Sequence, residues 1–193
     1  MSDKGSSLVE NSALDQRRRT HFKPVRPDDA EFILSLRTDP QLNSFLSPVD
    51  DSVEAQRRWI ESYVAREDRG EEYYYLIMHE GRRAGTVRLY DFQFENGIRS
   101  FSWGSWIIPA PRPKGLANVS LCLVYKISFS SLGFNRSHFK VDLRNLKVIE
   151  LHLRTGAERL ADSDGDANFY FWPKEMKSLW ARHKEALVEH EQY

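Results

Sequence analysis

The chain has 193 residues, of which 40% are apolar, 29% charged and 12% aromatic, the make-up of one globular domain with a single buried core rather than of a disordered or fibrous chain. Lys plus Arg and Asp plus Glu are balanced at 28 each, so no net field draws nucleic acid or an anionic membrane, and no stretch approaches the roughly 18 to 20 apolar residues of a membrane span. The single cysteine, Cys122, excludes an internal disulfide and a multi-cysteine metal site; with an N-terminus that lacks the apolar core of a secretory signal, it suits a reducing cytoplasm.

Residues 1 to 19 are polar, end in Arg17, Arg18 and Arg19, and read as a flexible arm. His21 to Arg26 alternates as a first strand would. Pro27, Asp28 and Asp29 then open a helix with a proline and two acids in its first turn, and Phe32, Ile33 and Leu36 supply its buried face. Pro40 stops it. Gln41 to Asp51 is a loop whose Leu42, Phe45, Leu46 and Val49 read as core plugs rather than as a pocket lining. Ser52 is an N-cap, and the spacing of Val53, Gln56, Trp59, Ile60 and Tyr63 carries a second helix to about Arg69, before Gly70.

From Glu71 the period changes to that of strands. Tyr73 to His79 and Ala84 to Phe92 flank the turn Glu80-Gly81, and Ile98 to Ile108 follows the turn Glu95-Asn96-Gly97, giving an antiparallel meander. An apolar helix is expected from Gly115 to Leu132, ending at Gly133-Phe134-Asn135, with His138 to Leu143 as the strand it connects to. Asn145 to Thr155 reads as a helix with Leu146, Ile149 and Leu153 on one face, stopped by Gly156. Glu158 to Ala161 and Asn168 to Trp172 are short strands around Asp162-Ser163-Asp164-Gly165-Asp166, a solvated turn that lacks the spaced ligands of a calcium loop. Lys174 to His190 is a closing charged helix. The order β-α-α-β-β-β-α-β-α-β-β gives an α/β domain with a mixed, mostly antiparallel sheet of six to seven strands and helices on both faces.

Chemistry concentrates in Trp103 to Ala117, W-G-S-W-I-I-P-A-P-R-P-K-G-L-A. A strand ends there, a loop with Arg112 and Lys114 follows, and Gly115 precedes a helix. Unpaired N–H groups and the helix dipole make such a place favourable for a phosphate. The segment is neither a Walker loop nor a dinucleotide fingerprint. Cys122 lies within the apolar run and reads as an inert buried thiol. Tyr73, Tyr74, Tyr75, Tyr90, Phe92, Phe94, Trp103 and Trp106 make the strands aromatic; one alternating half must face the core, and the other is available as a stacking floor for a sugar or nucleobase.

The run W-I-I-P-A-P-R-P-K-G-L-A resembles the acetyl-coenzyme A motif of the GNAT N-acetyltransferase superfamily, with Arg112, Gly115 and Ala117 in register. Asn145 to Ala157, N-L-K-V-I-E-L-H-L-R-T-G-A, resembles the family's second segment through Asn145, Ile149, Leu151 and Gly156. The resemblance covers about residues 20 to 172, leaving 173 to 193 as a C-terminal helical extension. It is nearest to the branch holding ribosomal-protein alanine, antibiotic and nucleotide-linked amino-sugar acetyltransferases. It implies a GNAT-like fold and an enzyme using acetyl-CoA. Pantetheine would pair with backbone at Trp106, Ile107 and Ile108, the pyrophosphate would sit on the N–H groups of Lys114, Gly115, Leu116 and Ala117 beside Arg112, and Asn145 would reach the cofactor arm. His152 stands where the family has the tyrosine that protonates the leaving thiolate. Pro113 replaces a glycine and deletes one phosphate donor, and Ala157 replaces a phenylalanine. No base is assigned, Asp91, Glu95 and Asp142 reading as surface acids. The expected activity is direct acetyl transfer to the primary amine of a small molecule, with a nucleotide-linked amino sugar as first choice, a protein N-terminus as alternative, and a binding module without turnover as a further one. No metal, nucleic acid or membrane is expected, and edge strands of such a domain often pair, which leaves room for a homodimer.

Overall fold

The computed structural model describes residues 19–191, so the arm expected over residues 1 to 19 lies outside it apart from Arg19. Seven strands, β1 (Thr20–Pro24), β2 (Tyr73–His79), β3 (Arg82–Glu95), β4 (Ile98–Ile107), β5 (Arg136–Asp142), β6 (Glu158–Arg159) and β7 (Asp166–Phe171), form one sheet. Their order is β1-β2-β3-β4-β5-β7-β6. Every neighbouring pair is antiparallel except β4 with β5. Those two run parallel because α3 (Leu116–Lys126) carries the chain across between them.

Helices cover both faces, and the period of β2 shows why. Tyr75 and Ile77 belong to the larger core, under α3, α4 (Leu146–Thr155) and α5 (Met176–Arg182), whereas Tyr74, Leu76 and Met78 belong to a smaller one under α1 (Ala30–Thr38) and α2 (Val53–Asp68). Successive side chains of a strand point to opposite faces, so a strand roofed on both sides reads as continuously apolar. Ser52 caps α2 as expected, its Oγ accepting from Ala55 N at 3.2 Å. Tyr63 fastens that helix to the sheet: its hydroxyl accepts from Tyr74 N at 2.8 Å.

Several elements differ from the sequence expectation at their ends, and three differ in extent or type. The strand expected over Ala84–Phe92 runs from Arg82 to Glu95, since its polar ends pair in hairpins whose side chains are exposed and carry no apolar signal. The apolar helix is α-helical only to Lys126 and continues as a π-turn over Ile127–Ser131. The closing helix is broken at His183 into α5 and α6 (Lys184–Glu191), with no glycine or proline to announce it. The break lets α6 pack against α3, with Ala186 and Leu187 on the larger core.

Candidate active site

Strands β4 and β5 pair at only two positions, Ser100 with Arg136 and Phe101 with Ser137. Beyond them β4 follows β3 to Ile107 and β5 follows β7 to Asp142, so the sheet parts between its two parallel strands. On the α3–α4 side of this parting lie the rings of Trp103, Tyr125 and His152, with centroids 5.9 Å and 5.5 Å from Trp103. Trp103 Nε1, the Tyr125 hydroxyl and His152 Nδ1 are buried without a partner in hydrogen-bonding geometry. Buried polar atoms are normally paired, so a wall of this kind suits a polar chain laid along the strand.

At its outer end β4 bulges. Two steps along β3, from Thr86 to Arg88, oppose three along β4, from Ile107 to Gly104, and Ser105 takes φ 47°. A bulge re-aims backbone groups at a strand rim. Trp106 then reaches across to α3, its Nε1 donating to Ser120 Oγ at 3.0 Å while that hydroxyl donates to Ala117 O at 2.9 Å. The tryptophan thereby ties the strand end to the first turn of α3. Ile107 and Ile108 are buried beside it, and Arg112 Nη1 donates to Ile108 O at 3.3 Å.

The loop residues Arg112, Pro113 and Lys114 are exposed, and neither cation has an ion pair among the described residues. Leu116 N bonds Pro113 O at 3.2 Å, so this one N–H of the expected phosphate cradle is already used; those that remain are at the start of α3, around Ala117, where a helix leaves its first donors free. Gly115 caps α3 at φ 82°. A Cβ there would stand 3.0 Å from Ala186 Cβ and 3.5 Å from His190 Nε2. The sequence reading makes this a glycine so that a ligand can approach; its left-handed backbone and the α6 residues lying against it are further reasons for a glycine here. His190 Nε2 donates to Lys114 O at 3.0 Å and its Nδ1 meets Thr20 Oγ1 at 2.8 Å, pinning α6 to both the loop and β1. The parted strands, the free cations and the open first turn of α3 fit coenzyme A, and Pro113 removes one donor without closing the loop.

His152 is 3% exposed, held among Phe139 at 4.3 Å, Trp103 at 5.5 Å and Phe169 at 5.8 Å between ring centroids. Burial holds its pKa down to about 3, so the imidazole is neutral at physiological pH. Asn145 is the N-cap of α4, its carbonyl accepting from Val148 and Ile149 while its side chain makes no capping bond. Asp142 is engaged by Arg144, which holds its carboxyl down to about 2. Asp91 is likewise no idle surface acid: its Oδ2 lies 3.0 Å from His138 Nε2, whose Nδ1 lies 3.1 Å from Ser100 Oγ.

On the other side of the β4 bulge is a cleft of about 750 Å³, well within the range of ligand pockets. The sheet residues Tyr74, Arg88, Tyr90, Trp103, Gly104 and Ser105 line its floor, Gln56 and Trp59 of α2 one wall, and Arg37 and Lys140 further margins. Its rim is the loop from Phe45 to Asp50. The apolar residues Phe45, Leu46 and Val49, expected as core plugs, line the cleft instead, and Phe45 is 49% exposed. The floor is rigid. Arg88 stacks between Trp59 and Tyr90, 5.1 Å from each ring, and both it and Arg66 bind the buried carboxylate of Glu72. Of the aromatic strand residues, Tyr74, Tyr90 and Trp103 reach the cleft; Tyr73, Tyr75 and Phe92 pack on the core and Phe94 is exposed. The cleft residues carry no local motif, since they converge from β2, β3, β4, β5, α1, α2 and a loop.

Residues 19–158 match the family described as Acetyltransferase (GNAT) domain. Among solved structures, apo FdhC, a nucleotide-linked sugar GNAT, is 37% identical, with 89% of this chain and 97% of that one covered and a TM-score of 0.79. Mycobacterium smegmatis RimJ in complex with CoA-disulfide is 15% identical over 92% and 94% at a TM-score of 0.71. Vibrio cholerae spermidine N-acetyltransferase in complex with CoA and spermine is 18% identical over 82% and 98% at 0.67. The last two share the fold. No curated protein sequence matches the chain.

Proposed function

The chain belongs to the GNAT acetyltransferase family, and from that premise we propose that it transfers acetyl from acetyl-CoA to the primary amine of a small anionic molecule, a nucleotide-linked amino sugar being the first choice. The observation that carries the choice of acceptor is the charge of the cleft. Arg37, Arg88 and Lys140 face it against the single acid Asp50, and Glu72 compensates only Arg88 among them. A polyamine, positive along its length, is repelled by such a lining, whereas a phosphate-bearing amine is held. The 37% identity to a nucleotide-linked sugar GNAT supports the same choice.

Acetyl-CoA, when bound, supplies the activated acyl group. The chain contributes position and polarity. The free edge of Trp106, Ile107 and Ile108 offers backbone donors and acceptors as a sheet edge does to an added strand. Arg112, Lys114 and the first turn of α3 offer positive charge to phosphates. Backbone N–H groups at the β4 bulge, re-aimed by Ser105, are placed to stabilise negative charge on a carbonyl oxygen. Tyr74, Tyr90 and Trp103 narrow the space between an acceptor amine and that oxygen, and cleft water takes the amine proton. His152, neutral in its aromatic pocket, serves as a hydrogen-bond donor to a sulfur anion rather than as a proton reservoir; a thiol of pKa near ~8.5 is a good enough leaving group for that to suffice. The same reading places the enzyme in a reducing cytoplasm, which suits one buried cysteine, without a nucleic-acid partner. A homodimer built through a sheet edge would have β1 for it, since β6 is only two residues long.

Thiol release from acetyl-CoA, measured with nucleotide-linked amino sugars, spermidine and a peptide with a free N-terminus, tests the proposal. Release with the first class alone supports it. Release with the peptide alone would transfer the chain to the protein-modifying branch.

A further inference from the structure

The cleft, of about 750 Å³, has room for more than an amino sugar, and its lining has a definite chemistry. On its floor Tyr74, Tyr90, Trp103, Gly104 and Ser105 gather where β4 bulges. Arg37 and Lys140 line the same cleft. Arg37, on α1, is held by the rim loop and the bulge, Nη2 donating to Ser47 O at 2.9 Å and Nη1 to Ser105 Oγ at 3.5 Å, while its Nε is buried with no hydrogen-bond partner. Lys140 is exposed, on the sheet face that carries the cleft, and has neither an ion pair nor a side-chain hydrogen bond among the described residues. The nearest acid along its strand, Asp142, is taken by Arg144. At the mouth the half-exposed ring of Phe45 lies 5.9 Å beneath the guanidinium of Arg144, which is itself 79% exposed.

Aromatic side chains stack on nucleobases, with an arginine contributing a cation–π contact, and uncompensated cations hold phosphates. Resting on the reading that the acceptor is nucleotide-linked, we propose that Lys140 and Arg37 form a diphosphate subsite and that Phe45, with Arg144 above it, is the nucleobase platform at the cleft mouth. All three parts belong to one continuous cleft or its rim, so a single ligand carrying amino sugar, diphosphate and nucleoside can engage them together. Ground-state binding of a nucleoside diphosphate is then separable from acetyl transfer, because it uses the diphosphate and nucleobase parts alone.

The test is calorimetric titration of the full chain with UDP, dTDP and inorganic pyrophosphate, in protein saturated with coenzyme A so that the loop from Arg112 to Gly115 is filled. Both nucleotides are expected to bind the wild type, to lose at least tenfold in affinity in Lys140→Ala, and to lose a comparable factor in Phe45→Ala. Pyrophosphate should respond to Lys140→Ala and be indifferent to Phe45→Ala. Both side chains are largely exposed, so neither change threatens the fold, and circular dichroism verifies this. Nucleotide affinity equal in wild type and Lys140→Ala, or no nucleotide binding at millimolar concentration, overturns the subsite. Acetyl transfer to amines without nucleotide binding leaves the enzyme standing and the subsite refuted; Lys140-dependent nucleotide binding without transfer to any amine leaves the subsite standing and refutes the proposed function.

Discussion

Replacing His152 by phenylalanine separates what burial does to this side chain from what catalysis asks of it. In the folded chain the imidazole is 3% exposed among three aromatic rings and its pKa lies at about 3, whereas in the unfolded chain it has the ordinary value near ~6.5. The folded value is the lower one. Below ~6.5 the unfolded chain therefore binds a proton that the folded chain refuses, and stability contributed by the neutral histidine is full above that pH and is lost as pH falls, by roughly 1.4 kcal/mol per unit until the folded group titrates. Between pH 7.5 and pH 5 the loss amounts to about 2 kcal/mol. A phenylalanine occupies the same pocket without titrating; its extra volume costs about 1–3 kcal/mol at every pH, and His152→Leu serves as the less bulky companion. Urea denaturation of wild type and both variants at pH 7.5 and pH 5 should show each variant gaining about 2 kcal/mol on the wild type at the acid end. A variant-minus-wild-type difference that stays constant across this range would refute the claim that burial keeps the imidazole neutral. Turnover adds a second reading: a hydrogen-bond donor of this kind is worth about tenfold in kcat, and the pH profile of kcat should have no limb that disappears with the histidine.

Gly115→Val forces a side chain into φ 82° and against Ala186 of α6, so a loss of about 1–3 kcal/mol in stability, seen as a lowered Tm and earlier proteolysis of the C-terminal helix, should accompany any loss of coenzyme A affinity; weakened affinity with an unchanged Tm would return the glycine to the role of a ligand cradle. Cys122 is fully buried and burial pushes its thiol up to about 12, so a thiol reagent at neutral pH should modify the unfolded chain alone, and rapid labelling of the native protein would contradict the packing described. Ser52→Ala removes the cap of α2 and should cost about 1 kcal/mol in stability while leaving kcat as it is, as denaturation and thiol-release assays would show.

The order of elements and the strand-loop-helix outline of Trp103 to Ala117 were legible in the chain because both are local. The 3.6-residue spacing of Ile60 and Tyr63, the turns at Gly81 and Gly97, and the run from Trp103 to Ala117 each declare themselves within a few residues. The cleft is different. Arg37, Arg88 and Lys140 come together only because β2 to β5 lie side by side under α1 and α2, and nothing near any one of them marks it as facing the others. The apolar residues of the 41–51 loop carry the same pattern whether they plug a core or line a cleft, and only the fold decides between these. Gly115 was legible as a glycine that matters, but its neighbour Ala186 is 71 positions further along the chain, so the reason could not be read there. The break at His183 likewise has no glycine or proline near it to mark it.

The most direct measurement of the central claim is a competition in one vessel between a nucleotide-linked amino sugar and spermidine at equal concentration, with labelled acetyl-CoA and mass-spectrometric detection of both products. The cationic cleft predicts label on the sugar nucleotide in large excess, with an advantage that shrinks as salt is added. Label predominantly on spermidine would contradict the account at its foundation.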